Sequence, residues 1–170
     1  PDDKLREMEN GWWQNLVRAV FADCGSFPHF DEFFDDIFER FRGKELWRVF
    51  DDVAPTLAEL KRRGIRLGVI SNFDSRLDDV LRVYELDQFF DSIHISTRVG
   101  AAKPDPAIFD AALAHHRIEA SQAWHIGDSQ REDFEGAEAA GLKAILLDRN
   151  NGRGENALCI SSLTELLTLV

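Results

Sequence analysis

Asp128 and Asp133 lie five residues apart in HIGDSQREDFEGA, His125 to Ala137, where a short apolar run passes through Gly127 into a helical pattern. Carboxylates at the carboxyl end of a strand hold a cation or position a substrate. Two other stretches follow apolar runs in the same way: Ser71-Asn72 after Ile70, and Lys103 in the loop after the next strand pattern. A hydroxyl, an amide, a lysine and two carboxylates make a site for phosphate with Mg²⁺. Ser71 and backbone donors near a helix start would hold phosphoryl oxygens, Lys103 would neutralise their charge, and Asp128 would hold the cation. Each residue also has an ordinary structural use. Ser71-Asn72 can cap a helix, Lys103 can be a solvated loop residue, and Asp133 can be a first-turn charge favoured by the helix dipole. Asp128 is the one whose position favours function. His29, His94, His115, His116 and His125 share no ligand spacing and read as structural or surface residues.

The elements that must bring these residues together follow from periodicity. From about Asp51 the chain alternates helix and strand patterns. Asp51 and Asp52 are candidate caps for a helix bearing Leu57 and Leu60 and stopped by Gly64. Ile65–Ile70 reads as a buried strand, and Leu77, Val80, Leu81 and Tyr84 recur at helical spacing. Phe89–Ser96 is a second strand, Pro106–His116 a helix, and Ala123–Gly127 a third strand. Glu132–Ala140 is a helix stopped by Gly141, Lys143–Leu147 a fourth strand, and Ser161–Leu169 a last helix capped by Ser161 or Ser162. Repeated strand-then-helix units imply a doubly wound, Rossmann-like parallel sheet, whose carboxyl edge gathers residues distant in sequence. Residues 1–48 differ: Trp12, Trp13, Leu16, Val17, Val20 and Phe21, then Phe33, Phe34, Ile37, Phe38 and Phe41, make the apolar faces of a small helical module. Trp12 and Trp13 read as part of its core or of an interface. The α/β part is expected over 49–170, with Asn151–Gly154 as an exposed turn.

Composition excludes several classes. With 31 acidic against 20 basic residues the formal charge is −11, which repels a phosphate backbone, so no nucleic acid partner is expected. Cys24 and Cys159 stand far apart outside any C-x-x-C pair, so neither a disulfide framework nor a zinc site is suggested, and a cytoplasmic setting fits. The apolar runs are too short to span a bilayer, so no membrane partner is expected.

Three stretches, GVISNFDSR, GAAKPDPAIF and HIGDSQREDFEGAEAAG, resemble in order the second, third and fourth motifs of the haloacid dehalogenase (HAD)-like hydrolases. The resemblance covers nearly the whole chain. It implies a HAD-like hydrolase, in most members a Mg²⁺-dependent phosphatase, acting here on a small phosphorylated metabolite. Ser71 and Asn72 would bind the phosphoryl group, Lys103 would steady nucleophile and phosphate, and Asp128 supported by Asp133 would bind Mg²⁺. The helical module resembles part of a cap that closes over the site.

One motif of that family, D-x-D-x-T after an apolar strand, is not found in the sequence. Its nearest imitation is VFADCGSF, where Asp23 follows an apolar run with a helical rather than a strand period, so Asp23 reads as a helix-end residue. With that and the start at Pro1, the expectation is an incomplete HAD-like core, truncated and inactive alone for want of a nucleophile. The alternative is a non-catalytic module of the same fold that binds phosphate, metal or a partner protein. In the family the absent strand lies between those ending at Ser71 and Asp128. The gap would close by direct pairing of those two strands or be filled from another molecule, and a homodimer is expected on that ground.

Overall fold

The computed structural model describes residues 2–25, 28–150 and 158–170. In chain order its elements are α1 (Asp2–Val20), α2 (Phe30–Arg40), α3 (Val53–Arg62), β1 (Gly68–Ser71), α4 (Arg76–Val83), β2 (Ser92–Ile95), α5 (Ser96–Val99), α6 (Pro106–His116), β3 (Trp124–Gly127), α7 (Gly136–Ala139), β4 (Lys143–Leu147) and β5 (Cys159–Ile160). The described residues form two compact units, Pro1–Arg48 with Phe73–Asp87, and Val49–Asn72 with Gln88–Val170. The sequence reading assigns 73–87 to the α/β part, whereas here the segment packs with the helical unit. Among the described residues no helix is long and apolar enough to cross a membrane.

In the first unit, Phe30, Phe34 and Phe38 recur every four residues on α2, one face of a helix, and are buried against Trp13 and Val17 of α1. Segment 73–87 is tied in by polar groups. Trp13 Nε1 donates to Asp74 at 2.7 Å, and the Ser75 amide and hydroxyl donate to the buried Glu9. The Arg76 guanidinium pairs with Asp74 at 2.5 Å and lies 4.1 Å from the Phe38 ring centroid. Asp23 sits exposed in a 3₁₀ turn, Ala22–Cys24, just beyond α1, and follows a helix rather than a strand.

The second unit is a parallel α/β fold of the Rossmann-like type, with its strands in two ladders. β1 pairs with β2 from Gly68↔Ser92 to Ser71↔Ile95. β3 pairs with β4 from Trp124↔Lys143 to Gly127↔Leu146, and β4 with β5 at Leu146↔Cys159 and Leu147↔Ile160. No ladder joins β1 to β3 among the described residues. Consecutive side chains of β4 point to opposite faces, and they enter two cores. Ala144 packs with Ile108 and Phe109 of α6 and with Phe134 and Ala137; Ile145 packs with Ile160 and Leu166. Helix α3 contacts the Leu163–Thr168 turn, on the Ile145 side.

Several expected boundaries shift. The expected strand Ile65–Ile70 becomes Gly68–Ser71, and β5 is a short strand that periodicity does not reveal. Ser161–Leu169 is a 3₁₀ turn over Leu163–Thr168, capped by Ser162 in a capping box with Glu165 as its hydroxyl suggests. Asp52 makes no capping bond on α3. Its Oδ2 instead accepts from Arg149 Nη1 at 2.9 Å, Ser162 Oγ at 2.8 Å and the Leu163 amide at 2.8 Å, clasping the start of α3 to the C-terminal turn. The helix expected over Glu132–Ala140 begins as a π-helical turn, Gln130–Glu135, and continues as α7. The turn at Asn151–Gly154 lies outside the described residues.

Candidate functional site

The carboxyl ends of β1 and β3 and the loop before α6 meet within the second unit through a short chain of polar contacts. Asn72, just past β1, clamps the Lys103 backbone reciprocally: its Nδ2 donates to Lys103 O at 2.9 Å and its Oδ1 accepts from Lys103 N at 2.7 Å. The same Nδ2 lies 3.2 Å from Glu132 Oε2. Lys103, followed by a cis peptide to Pro104, extends its Nζ to 2.6 Å from Asp133 Oδ1. Asp105 caps α6 through the Ala107 amide, with Pro106 in the first helical turn, which ends the loop and fixes where Lys103 leaves it.

Asp133 is the hub. Its side chain is 6% exposed, and both oxygens are engaged. Oδ1 accepts from Lys103 Nζ and from His125 Nε2 at 2.8 Å, and Oδ2 from the Ser129 amide at 3.0 Å. Burial alone would raise its pKa; the donors from His125, Lys103 and Ser129 outweigh that and hold it well below the usual carboxylate range, so it is an anion at neutral pH. Gly127 makes room for it. A Cβ at that position would fall 2.1 Å from Asp133 Cγ, so only glycine lets the carboxylate lie against the strand. The π turn sets the angle of approach: Ser129 O accepts from the amides of both Asp133 and Phe134, and such turns recur at functional sites.

Of the residues singled out from sequence, Asn72, Lys103 and Asp133 are thus joined directly. Ser71 ends β1 beside Asn72 and is half-buried, and Asp128, exposed, follows directly on β3. Asp133, expected as a second metal ligand, presents no oxygen free of a donor here. Among the described residues no three His, Cys, Asp or Glu side chains gather as a metal-binding set. What remains suited to Mg²⁺ is the exposed carboxylate of Asp128, and Mg²⁺ is commonly held by one or two carboxylates with water and phosphate oxygens.

His125 and Glu132 are site residues that the sequence reading leaves aside. For His125 a signal is present: it stands two residues before Gly127, so both face the same side of β3, the side on which Asp133 lies. The histidines His94, His115 and His116 form a separate cluster, with ring centroids 5.5 Å and 5.2 Å apart in sequence order and His116 Nε2 2.8 Å from Ser92 Oγ.

With this geometry, comparison with known proteins is informative. A family model described as haloacid dehalogenase-like hydrolase matches residues 5–141. The chain belongs to that family. A haloacid dehalogenase-like hydrolase domain-containing protein 3 from Danio rerio is 38% identical over 84% of this chain and 60% of its own length. A phosphoserine phosphatase from Thermus thermophilus is 29% identical over 80% of this chain and 54% of its own. The crystal structure of a HAD phosphatase from Thermococcus onnurineus superposes with a TM-score of 0.72 at 29% identity, over 84% of this chain and 69% of that one. The chain therefore spans somewhat more than half the length of these curated relatives of the haloacid dehalogenase-like hydrolase family. The motif stretches quoted above supply every residue of the Asn72–Lys103–Asp133–His125 chain.

Proposed function

We propose that this chain carries the phosphate- and Mg²⁺-holding part of a phosphatase for a small phosphorylated metabolite, and that by itself it binds without efficient turnover. The observation that carries the reading is Lys103 Nζ, an ammonium fixed between a backbone clamp and a buried anion at the carboxyl edge of parallel strands. A positioned cation of this kind offsets the charge of a phosphoryl group without reorganising when the ligand arrives. The likeness to a phosphoserine phosphatase and to a HAD phosphatase supports the substrate class.

In this reading Ser71 donates its hydroxyl to a phosphoryl oxygen, and Lys103 neutralises the anion. Asn72 positions Lys103 through its backbone rather than meeting the ligand, and Asp133 fixes the ammonium. Asp128 would hold Mg²⁺, which when bound supplies further charge neutralisation. Covalent phosphoryl transfer needs a nucleophile with a base or acid beside it, and no two aspartates stand two residues apart anywhere in the sequence. Calorimetric titration with Mg²⁺, and then with inorganic phosphate, tests the assignment. Weak Mg²⁺ binding should vanish in Asp128→Ala, and phosphate binding should fall at least about tenfold in Lys103→Ala, the loss of one charge-assisted bond. Equal Mg²⁺ binding by wild type and Asp128→Ala would defeat the metal assignment. Robust phosphomonoester hydrolysis by the chain that disappears in Asp23→Asn would make Asp23 the nucleophile and overturn the account.

A further inference from the structure

Three imidazoles meet where α6 packs on β1 and β2. The strand register sets Gly68 beside Ser92 and Ile70 beside His94, and residues two apart on a strand share a face, so Gly68, Ser92 and His94 look the same way. The last turn of α6 lies on that face. It brings His116 Nε2 to 2.8 Å from Oγ of the buried Ser92 and sets the His115 ring edge-on to His94. Gly68 makes the seat, since a Cβ there would fall 2.8 Å from Ser92 Oγ and 3.3 Å from His116 Nε2. A third tie is Arg66 Nη1, which donates to the His116 carbonyl at 3.0 Å.

The ring contacts suit neutral imidazoles. His94 Nε2 is buried and has no hydrogen-bond partner among the described residues. On a neutral ring that nitrogen can be the one without a proton, but an imidazolium carries N–H on both nitrogens, so protonation would bury a donor with nothing to accept it. The charges nearby give little relief. Asp91 precedes β2, but it already accepts from the Leu67 amide at 2.9 Å and lies 3.8 Å from Lys61 of α3. The segment before β1 supplies Arg66, and α5, packed on β2 and α6, carries Arg98 and no carboxylate. On α6 itself Asp110 stands five residues before His115, on another face of the helix. Burial holds both His94 and His116 below the ordinary 6.5, reinforced at His94 by His115 and His116 and at His116 by Arg66 and His115, while Asp91 pulls His116 the other way.

The first half of α6 is anchored independently. Ile108 and Phe109 are fully buried in the core, and Asp105 caps the helix start through the Ala107 amide. A disturbance at the last turn is therefore relieved there and does not reach the Lys103 loop.

We infer that His94 and His116, bridged by His115, form a proton-operated latch: neutral, they hold the last turn of α6, with Arg117 and Ile118, on the β1–β2 face, and on binding protons they release it while the first half of the helix stays docked. Groups that bind protons more weakly when closed favour the closed state above the pKa they have when open, about 6.5, and lose that contribution as pH falls below it. Each proton taken up only by the open form shifts the opening equilibrium by at most about tenfold per pH unit. The latch is independent of the phosphatase reading, because Lys103 lies beyond the anchored half of α6 and the readout is backbone protection.

The test compares protection factors for the His115–Ile118 and Asp110–Ala112 amides of the full chain at about pH 7.5 and about pH 5.5, after correction for intrinsic exchange rates, and follows the histidine rings by NMR over the same range. The expected result is that protection of His115–Ile118 falls at least about tenfold at the lower pH, in step with titration of His94 and His116, while Asp110–Ala112 keeps its protection. The double variant His94→Phe with His116→Gln cannot take up those protons, keeps a ring at one position and a polar partner for Ser92 Oγ at the other, and should show no such fall. Titration of both rings with protection unchanged would overturn the latch, as would an equal fall along the whole of α6, which is global unfolding. An equal fall at His115–Ile118 in the double variant would place the trigger elsewhere and overturn it too. The first two outcomes are read on the wild-type chain alone, so a double variant that does not fold leaves the latch open to refutation.

Discussion

Asp133 and Asp128 are both aspartates near the end of β3, and their surroundings assign them different work. Asp133 is buried with three donors, two of them side chains, so removing its carboxylate leaves Lys103 and His125 facing each other without an anion. Breaking a buried pair in this way costs about 3–5 kcal/mol. Asp133→Ala should therefore lower the urea midpoint strongly. Asp128→Ala, at an exposed position, should change stability by no more than about 0.5 kcal/mol. Equal midpoints for the two variants would contradict the hub. Gly127→Ala probes the same carboxylate from the strand side. A Cβ 2.1 Å from Asp133 Cγ must displace the side chain and should cost about 1–3 kcal/mol, as overpacking does. The sequence marked Asp133 through its place in a helix-start pattern, but it could not show that the partners would be Lys103 and His125. Those contacts join positions 30 and 8 residues away, and only the sheet brings Lys103 there.

At the scale of elements, the clasp between α3 and the C-terminal turn depends on one carboxylate that sequence reading takes for a cap. Burial would raise the Asp52 pKa, but bonds from Arg149, Ser162 and the Leu163 amide bring it down to about 2, against an ordinary 3.8. A depressed carboxylate contributes stability that is present above its unfolded pKa and lost as pH falls toward its folded one. The clasp should therefore weaken between about pH 4 and pH 2. A second loss begins higher. Burial lowers the pKa of both His94 and His116 below the ordinary 6.5, helped by neighbouring His115 and, for His116, Arg66. The fold thus favours neutral imidazoles, and stability falls as pH drops below about 6.5. Urea melts at pH 7, 5 and 3 should show two successive losses. Asp52→Asn should cost about 1–2 kcal/mol at pH 7, a charge-assisted bond network being removed, and should diminish the lower step while leaving the upper one. An unaltered lower step would place the acid sensitivity elsewhere. Capping chemistry alone made the Ser162 turn and the α6 start legible, since serine and aspartate act on amides two or three residues away. Asp52 escaped that reading because its partners lie about a hundred positions downstream.

For the whole molecule, the order of strands and helices was legible because each apolar run is short, bounded by glycine or polar turns, and followed by helical spacing. The pairing of the strands was not, because which edges meet depends on contacts between distant segments that no local pattern records. The 73–87 segment shows the same limit: its helix has an ordinary amphipathic face, and its ties to the helical unit, through Asp74, Ser75 and Arg76 and also through Asp79 to Arg6 and Tyr84 to the Trp47 carbonyl, are contacts with distant positions. Charge, by contrast, is a property that sequence states in full. With a formal net charge of −11, the acidic groups repel one another in any compact state. Salt acts on two opposed contributions. It weakens exposed pairs such as Arg18–Asp31 and Arg62–Glu59, which contribute little because water screens them, and it screens the repulsion among the uncompensated carboxylates. The buried Lys103–Asp133 and Arg76–Asp74 pairs, being shielded from solvent, are affected least. Repulsion outweighs the exposed pairs because the acidic excess is large and distributed, while those pairs are individually weak. Raising monovalent salt from about 0.01 M to about 0.15 M shortens the screening length from about 30 Å to about 8 Å, and should raise Tm by about 2–4 °C, the shift that corresponds to about 1 kcal/mol in a chain of this size. A calorimetric scan in which Tm falls over that interval would show that the exposed ion pairs, and not the net charge, govern stability.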